Sequence, residues 1–122
     1  MNHSPDPAEE SLEAFIEEVL AGGQIWGLAS NDGWAICASS DDDTIDVYPF
    51  WSNEADAALH CVGEWSIFWP VALTLEDFLE DWLPGMDQDE VLAGTNWNED
   101  LEGLEVEPAY LAEALNRRIN SH

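Results

Sequence analysis

The chain is rich in carboxylates and poor in the groups that usually accompany them in catalytic sites. Its 122 residues include 27 aspartates and glutamates but only three histidines and two cysteines. With so many carboxylates, some pairs lie close together by chance, so spacing alone does not indicate a glycosidase-type acid and base. The sequence has no nucleophile elbow, phosphate-binding loop or dinucleotide fingerprint. We therefore assign no catalytic residue and expect no cofactor.

Two acidic runs begin like calcium-binding loops without completing the pattern. In residues 41–46, carboxylates occupy loop positions 1 and 3, but Ile45 stands at position 5 and Asp46 replaces the required glycine. The run that starts at Asp87 has Val91 at its fifth position. We expect weak cation condensation on these runs and no dedicated metal site.

The cysteines and the internal histidine offer little further chemistry. His60 and Cys61 are adjacent, and no second pair completes a zinc-binding spacing. His60 is expected at a surface or half-buried position of a short helix. Cys37 and Cys61 are interpreted as buried thiols in a reducing cytoplasm, with a disulfide or a reactive thiol as the alternatives.

The charge balance is the most informative property of the sequence. Two arginines and no lysine oppose the 27 acidic residues, and the formal net charge is -25. Such a surface repels nucleic acid and anionic lipid and attracts basic proteins. The sequence also lacks an apolar run of membrane-spanning length and a signal peptide pattern. We expect a cytoplasmic protein with a basic protein partner and no direct contact with nucleic acid or membrane.

Three groups of carboxylates form a candidate acidic interaction surface, with an ordinary solvated face as the alternative. The first group lies at i, i+4 spacing on a predicted helix, with no lysine at that spacing to neutralise it. The second is a charged loop, and the third follows a predicted helix end. The candidate residues are Glu9, Glu13, Glu17, Asp41, Asp42, Asp43, Asp87, Asp89 and Glu90.

Seven tryptophans exceed what a core of this size usually needs. Most of them are expected to build the core, and Trp26 and Trp82 lie in the most strongly patterned runs. Trp51, Trp69 and Trp97 lie beside proline, serine or asparagine, where exposure is compatible with the local sequence. Since tryptophan is enriched at binding hot spots, these three are candidate interface aromatics.

Periodicity and turn signals predict the elements that position these residues. Apolar residues at helical spacing predict a first helix that ends at Gly22-Gly23, a helix from Leu75 that ends at Pro84-Gly85, and a last helix from Pro108. A short helix is expected after Ser52. Strands are predicted at 24–30, 34–39, 44–50 and 91–97, with the first two forming a hairpin around residues 31–33. The β-like run at 65–71 contains Pro70, which favours an edge strand or an extended crossing segment.

This order of elements is typical of an α+β fold. We expect one compact domain over residues 1–122, with a mainly antiparallel sheet of about four to five strands and flanking helices. Residues 1–6 are expected to fray. Because mutual repulsion of the carboxylates opposes folding, stability is expected to rise with salt.

The order of several short motifs resembles the DUF2750 family of small bacterial proteins of unknown function. The resemblance runs from about Leu12 to Leu115, and its markers are residues 25–28, 32–35, 49–52, 75–85 and 94–97. It implies a small bacterial cytoplasmic domain whose repeated tryptophans and Leu83-Pro84-Gly85 are marks of the fold. It implies no activity and supplies no site residues.

Three functional hypotheses follow. The first is a non-enzymatic acidic module that binds a basic protein of the nuclease or nucleic-acid-binding type, as an inhibitor or immunity protein does, including by DNA mimicry. The second is a housekeeping protein whose acidity is an adaptation to a salt-rich environment. The third is a small-molecule enzyme without a recognisable motif.

Overall fold

The computed structural model describes residues 7–39, 42, 44–97 and 103–120, without the side chains of residues 7–10 and 64. The predicted fraying of residues 1–6 lies outside these ranges. The described α-helical segments are α1 (Pro7–Gly22), α2 (Glu54–Ala58), α3 (Leu75–Asp77), α4 (Leu83–Gln88) and α5 (Pro108–Ile119). The described strands are β1 (Gln24–Ser30), β2 (Gly33–Trp34), β3 (Cys37–Ala38), β4 (Asp46–Phe50), β5 (Trp69–Thr74), β6 (Leu92–Thr95) and β7 (Leu104–Val106).

The described strands form two sheets, in the orders β2-β1-β5 and β3-β4-β6-β7. All the pairings are antiparallel except that between β4 and β6, which is parallel. The mixed, mostly antiparallel architecture confirms the α+β class. In place of one sheet of about four to five strands, the described strands form two sheets of three and four strands, because the predicted strand 34–39 divides between them and β7 adds a strand that the sequence pattern does not indicate.

The relative direction of three strands matters for the site described below. An antiparallel bridge between Trp26 and Trp51 joins β1 to the residue that follows β4. Since β5 is antiparallel to β1 and β6 is parallel to β4, the strands β4, β5 and β6 all run in one direction. Their amino-terminal ends, at Asp46, Trp69 and Leu92, therefore lie at the same end of the joined sheets.

Alternation along the strands divides the interior into two apolar clusters. In β1, Ile25 packs in the larger cluster beneath α1, and Leu28 packs in the smaller cluster with Val47 and Trp51. This arrangement follows from the period of two in a strand, which directs neighbouring side chains to opposite faces. The predicted apolar face of α1 is confirmed, with these side chains packed in or against the larger cluster: Leu12, Phe15, Ile16, Val19 and Leu20.

Aromatic rings fill the space between the sheets and the helical segment 75–88. Trp82 makes edge contacts with Trp34, Tyr48 and Phe50, at ring-centroid distances of 4.6, 6.2 and 6.0 Å. Phe50 also contacts Phe78 at 5.0 Å. Such edge-to-face pairs add about 1 kcal/mol each beyond the area they bury. The prediction that Trp82 belongs to the core is therefore supported by its contacts.

The helical segment from Leu75 to Gln88 corrects one predicted boundary. Residues Phe78–Trp82 form a π-helical turn between α3 and α4, and the N–H of Leu83 donates to the carbonyl oxygen of Phe78. Proline inside a regular α-helix would clash with the carbonyl four residues earlier. The wider turn before Pro84 lets the chain remain helical, so Pro84 and Gly85 lie in the first turn of α4 and do not end the helix.

The segment before β5 also differs from its prediction. Gly63–Trp65 forms a 3₁₀ turn, and the β-like run begins as a strand only at Trp69. Pro70 lies in β5, which is at the edge of the three-stranded sheet, as the missing N–H of proline requires. None of the helices within the described residues is both long enough and apolar enough to cross a membrane.

Candidate acidic binding groove

An acidic groove opens at the amino-terminal ends of the parallel strands β4 and β6. It has a volume of about 630 Å³ and lies between these strand ends, the end of α4 and the start of α5. Among the lining residues that the structure describes, five of ten carry carboxylates and none is a lysine, arginine or histidine. We call this surface the acidic groove and define it by its carboxylates, which belong to Asp46, Asp87, Asp89, Glu90 and Glu107.

The end of α4 places Glu90 in the groove at an unfavourable backbone conformation. The N–H of Val91 donates to the carbonyl of Met86 at 2.9 Å, and that of Glu90 donates to the carbonyl of Asp87 at 3.3 Å. This pair of bonds is the Schellman arrangement, which requires a left-handed residue and usually selects glycine. Glu90 occupies that position with φ of 59°. A residue with a Cβ atom costs about 1 kcal/mol there relative to glycine.

The start of α5 supplies another carboxylate of the groove. Glu107 occupies the position before the helix, and Pro108 takes the first helical position, where its missing N–H is not needed. The Glu107 side chain makes no capping hydrogen bond. A negative charge at a helix amino terminus interacts favourably with the helix dipole, so this position suits a carboxylate.

The loop before β4 holds the rim of the groove through Thr44. Both the backbone N–H and the hydroxyl of Thr44 donate to Oδ1 of Asp42, at 3.0 and 2.6 Å. The hydroxyl bond, and then the backbone bond, lower the pKa of Asp42 below its ordinary value, because they stabilise the ionised carboxylate. Asp42 thus holds Thr44 in position through these two hydrogen bonds, and Thr44 lines the groove.

The acidic face of α1 has different electrostatic surroundings. Glu13 and Glu17, which we call the α1 ridge, both contact Arg118 of α5, with N–O distances of 3.0 and 3.4 Å. No lysine lies at i, i+4 spacing on α1, as the sequence indicates, but an arginine from a distant part of the chain partly neutralises these two glutamates. Arg117 pairs with Glu113 at 2.8 Å on the same helix. Both arginines of the chain are thus engaged with carboxylates away from the groove lining.

The nine carboxylates of the predicted interaction surface do not lie together in the structure, as far as they are described. Asp87, Asp89 and Glu90 come together in the groove, where Asp46 and Glu107 join them. Sequence reasoning missed the last two because they converge only through the pairing of β4 with β6 and the position of α5. Glu13 and Glu17 form the separate α1 ridge, and Asp42 is exposed before β4. The remaining candidates, the side chain of Glu9 and the residues Asp41 and Asp43, lie outside the described part of the chain.

Two of the three candidate interface tryptophans are buried, which corrects the expected exposure. Trp51 is inaccessible and Trp97 is 4% exposed. The indole of Trp51 donates to the carbonyl of Trp97 at 3.0 Å, and that of Trp97 donates to the carbonyl of Leu104 at 3.0 Å. A Cβ atom on Gly94 would lie 2.5 Å from the Trp97 ring, so this glycine provides the space for the indole. Trp69 is 46% exposed, in agreement with the sequence expectation.

A polar network fixes the corner that follows β4 and β6. The side-chain carbonyl of Asn96 accepts from the backbone N–H of Ser52 at 2.8 Å, and its amide donates to the Ser52 hydroxyl at 3.0 Å. The same hydroxyl donates to a carboxylate oxygen of Glu18 on α1. Asn96 adopts φ of 48°, a left-handed conformation that asparagine tolerates better than most residues. Ser52 and Asn96, which stand next to Trp51 and Trp97 in the sequence, are thus hydrogen-bonded at this corner while both indole rings are buried.

The cysteines and His60 do not join the groove lining. Cys37 and Cys61 are free, half-buried thiols, and burial raises the pKa of each above its ordinary value. A raised thiol pKa reduces the thiolate fraction and therefore the reactivity. His60 is 7% exposed and packs on Trp51 with a centroid distance of 4.6 Å. Within the described residues, no group of three or more histidine, cysteine, aspartate or glutamate side chains has the geometry to hold a metal ion.

Comparison with known protein families shows to which family the chain is related. Residues 12–115, which are most of the sequence, match the family described as "Protein of unknown function (DUF2750)". The chain belongs to the DUF2750 family. The match covers the same range as the resemblance found in the sequence, which confirms it. No curated protein and no solved structure matches this DUF2750 chain.

Proposed function

We propose that this DUF2750 protein is a non-enzymatic binding module whose acidic groove docks a basic region of another protein. The observation that supports this proposal is the concentration of five carboxylates around one concave surface, with no cationic residue among the lining residues that the structure describes. A concave surface lined with charge of one sign focuses the electric field and attracts oppositely charged groups. Lysine and arginine side chains of a partner are the natural complement.

The location of the two arginines adds to this argument. They pair with Glu13, Glu17 and Glu113, and no ion pair joins either arginine to a carboxylate among the described residues of the groove. The left-handed backbone conformation of Glu90 also supports a functional role for the groove. Backbone strain tends to collect at functional sites, where the side chain that causes it has a use. A glycine would satisfy the helix end and would remove one of the five carboxylates.

The density of charge favours a local docking site over mimicry of a DNA duplex. The accessible surface of 7429 Å² is shared among 27 acidic residues, an average of about 275 Å² for each. Duplex DNA presents one charge per about 110 Å² of a cylinder about 20 Å across. An evenly spread coat is therefore about 2.5 times too sparse, and a basic partner gains most where the carboxylates converge.

Affinity capture with matched variants tests the proposal. The groove variant carries Asp46→Asn, Asp87→Asn and Asp89→Asn. The control variant carries Glu76→Gln, Glu80→Gln and Asp81→Asn, which removes the same charge from exposed positions on the helical segment 75–88. Each immobilised protein is incubated with extract of the source cells at about 0.05 M and about 0.5 M salt, and bound proteins are quantified by mass spectrometry.

We expect a basic protein that binds the wild type and the control at low salt and is lost from the groove variant. Equal loss from both variants would show that the charge acts diffusely and would contradict the groove assignment. If no basic protein binds the wild type above the empty matrix, the binding function itself is wrong. Circular dichroism of all three proteins checks that they share one fold.

A further inference from the structure

The strand β5 forms an accessible and uncharged edge of the three-stranded sheet. It stands last in the order β2-β1-β5, and among the described strands it pairs with β1 alone. Its residues Ala72 and Thr74 are exposed. Residues 65–75, which include the whole strand, contain no aspartate, glutamate, lysine or arginine, although 27 of the 122 residues of the chain are acidic. This edge therefore lacks the charged side chains with which natural sheets usually prevent pairing to another chain.

The other sheet edges in the described part of the chain are shorter than β5. The strands β2 and β3 contain two residues each, and β7 contains three, one of which is Glu105. The strand β5 contains six residues. A very short edge offers few free backbone groups, and a carboxylate on an edge strand repels a second acidic strand. Of these edges, β5 is therefore the one best suited to pair with another strand.

The hydrogen bonds of β1 show how the backbone of β5 is oriented. Trp26 exchanges both of its backbone bonds with Trp51, each at 2.8 Å, on the side of β1 that faces away from β5. Neighbouring residues of a strand direct their backbone groups to opposite sides. The residues on either side of Trp26 therefore bond to β5, where they pair with Leu73 and Val71. The backbone groups of Leu73 and Val71 thus point inward, toward β1.

The alternate residues of β5, which are Pro70, Ala72 and Thr74, direct their backbone groups outward. The N–H of Leu75 agrees with this alternation, because it donates inward to the carbonyl of Gly23 at 3.0 Å. A proline at an outward position removes no hydrogen bond to β1. Among the described residues, the N–H and the carbonyl of Ala72 have no backbone partner. The edge therefore retains free donors at Ala72 and Thr74 and free acceptors at Pro70 and Ala72.

We propose that β5 pairs antiparallel with β5 of a second copy of the chain, about a two-fold axis at Ala72. In this register, Ala72 exchanges both backbone bonds with Ala72 of the second copy. The N–H of Thr74 donates to the carbonyl of Pro70 of the second copy, so the proline contributes an acceptor where it has no donor. The register includes every outward residue of both strands. It joins the three-stranded sheets of the two copies into one continuous sheet.

The same register adds contacts between apolar side chains. Val71 lies opposite Leu73 of the second copy, and the period of two places both side chains on one face. Both are half-buried in the single chain. Trp69, which is 46% exposed, belongs to the same face and lies opposite Leu75 of the second copy. Pairing therefore buries apolar surface in addition to satisfying free backbone groups.

Local charge favours a second copy over a basic protein at this edge. A basic segment would find no carboxylate within residues 65–75 with which its lysines or arginines could pair. A second β5 brings no charge to the contact, and the flanking acidic residues, Glu64 and Glu76, lie outside it. Carboxylates elsewhere on the two copies repel each other at longer range, and salt screens this repulsion. Pairing at β5 should therefore strengthen with salt, whereas docking at the acidic groove should weaken, so this inference does not depend on the proposed function.

Analytical ultracentrifugation of edge variants tests the pairing. The wild type, Ala72→Glu, Ala72→Pro and Ala109→Glu are compared over a range of protein concentrations at about 0.1 M and about 1 M salt. Ala72→Glu places two carboxylates opposite each other at the axis, and Ala72→Pro removes the central N–H. Ala109 is exposed at the start of α5, so Ala109→Glu adds the same charge away from the edge.

Thiol crosslinking tests the position of the axis. Ala72→Cys and Ala109→Cys are treated with a short bismaleimide, which links two chains only where their thiols lie close together. The wild type is treated in the same way and shows the contribution of Cys37 and Cys61. Circular dichroism checks that every variant is folded. If Ala72→Pro does not fold, Ala72→Glu and the crosslinking still decide the result.

We expect the wild type and Ala109→Glu to form a dimer whose proportion rises with salt. The Ala72→Glu and Ala72→Pro variants should have dimer dissociation constants higher by about tenfold or more. Ala72→Cys should give crosslinked dimers, and Ala109→Cys should give no more than the wild type. A wild type that stays monomeric at both salt concentrations, equal effects of Ala72→Glu and Ala109→Glu, or crosslinking at position 72 no greater than at position 109 would overturn the pairing. None of these results would alter the case for the groove.

Discussion

The acidic groove and the α1 ridge are both predicted as acidic surfaces, yet they differ in how their charges are compensated. In the ridge, Arg118 reaches from α5 to Glu13 and Glu17, so two negative charges share one cation. In the groove, five carboxylates converge, and the lining residues within the described part of the chain include no cation. The difference teaches that an acidic surface is a candidate binding site only where the fold leaves its charge uncompensated. The charge of the ridge is partly offset by an ion pair, whereas the described carboxylates of the groove have no cationic partner.

Charge reversal in the groove should have the largest effect on the affinity for the partner. Asp87→Lys with Asp89→Lys replaces attraction by repulsion in the groove, and we expect the affinity for the captured basic protein to fall about a hundredfold at low salt. Glu76→Lys with Glu80→Lys makes the same change of net charge at exposed positions outside the groove. Isothermal titration calorimetry gives both affinities. Equal losses would contradict a special role of the groove.

Glu90 offers a test in which stability and binding change in opposite directions. Glu90→Gly relieves the left-handed conformation at φ of 59° and should increase the free energy of unfolding by about 1 kcal/mol. It should also weaken binding, since one carboxylate of the groove is lost. Glu90→Gln keeps the strained backbone, so it should weaken binding without that gain in stability. Urea unfolding gives the stability of each variant, and a destabilised Glu90→Gly would refute the strain argument.

Removal of Arg118 should leave the negative charge of the α1 ridge uncompensated, as it is in the groove. Arg118→Ala leaves Glu13 and Glu17 unpaired, and we expect a loss of about 0.5 kcal/mol in unfolding free energy at low salt. The effect should shrink as salt screens the exposed charges. Arg117→Ala is the control, because it breaks a pair between residues on one exposed helix face. If Arg118→Ala is no more destabilising than Arg117→Ala at any salt concentration, the ridge is not stabilised in this way.

The smallest expected effect concerns the pH dependence of the groove rim. The Thr44 hydrogen bonds lower the pKa of Asp42 in the folded state relative to the unfolded state. Their contribution to stability is therefore complete above the unfolded pKa, near 3.9, and is lost as the pH falls through the lower folded value. Carbon-13 NMR titration should find the Asp42 pKa below its ordinary value. Thr44→Val should raise it toward that value, and an unchanged pKa would argue against the assigned cause.

Local signals in the sequence were sufficient for much of the fold. The apolar spacing of α1, the turn at residues 31–33 and Pro108 at the start of α5 each depend on interactions between near neighbours. The π-helical turn before Pro84 was missed because a proline and a glycine normally end a helix. Sequence alone does not show that the wider turn can accommodate the proline ring and carry the helix onward.

The candidate site was only partly predictable because distant residues build it. Asp87, Asp89 and Glu90 form a local acidic run, whereas Asp46 and Glu107 join them through strand pairing and the packing of α5. The pairing of Arg118 with Glu13 links residues 105 positions apart. Trp97 is buried because Gly94 and Gly103 leave space for its ring, a condition that no neighbouring polarity signal reveals.

The salt dependence of association tests the central claim most directly. The association rate of the captured basic protein is measured by stopped flow over a range of salt concentrations for the wild type, for the groove variant (Asp46→Asn, Asp87→Asn, Asp89→Asn) and for Glu13→Gln with Glu17→Gln. We expect a steep fall with salt for the wild type and the ridge variant, and a slower, flatter dependence for the groove variant. If the groove and ridge variants give the same salt dependence, the uncompensated groove is not what attracts the partner.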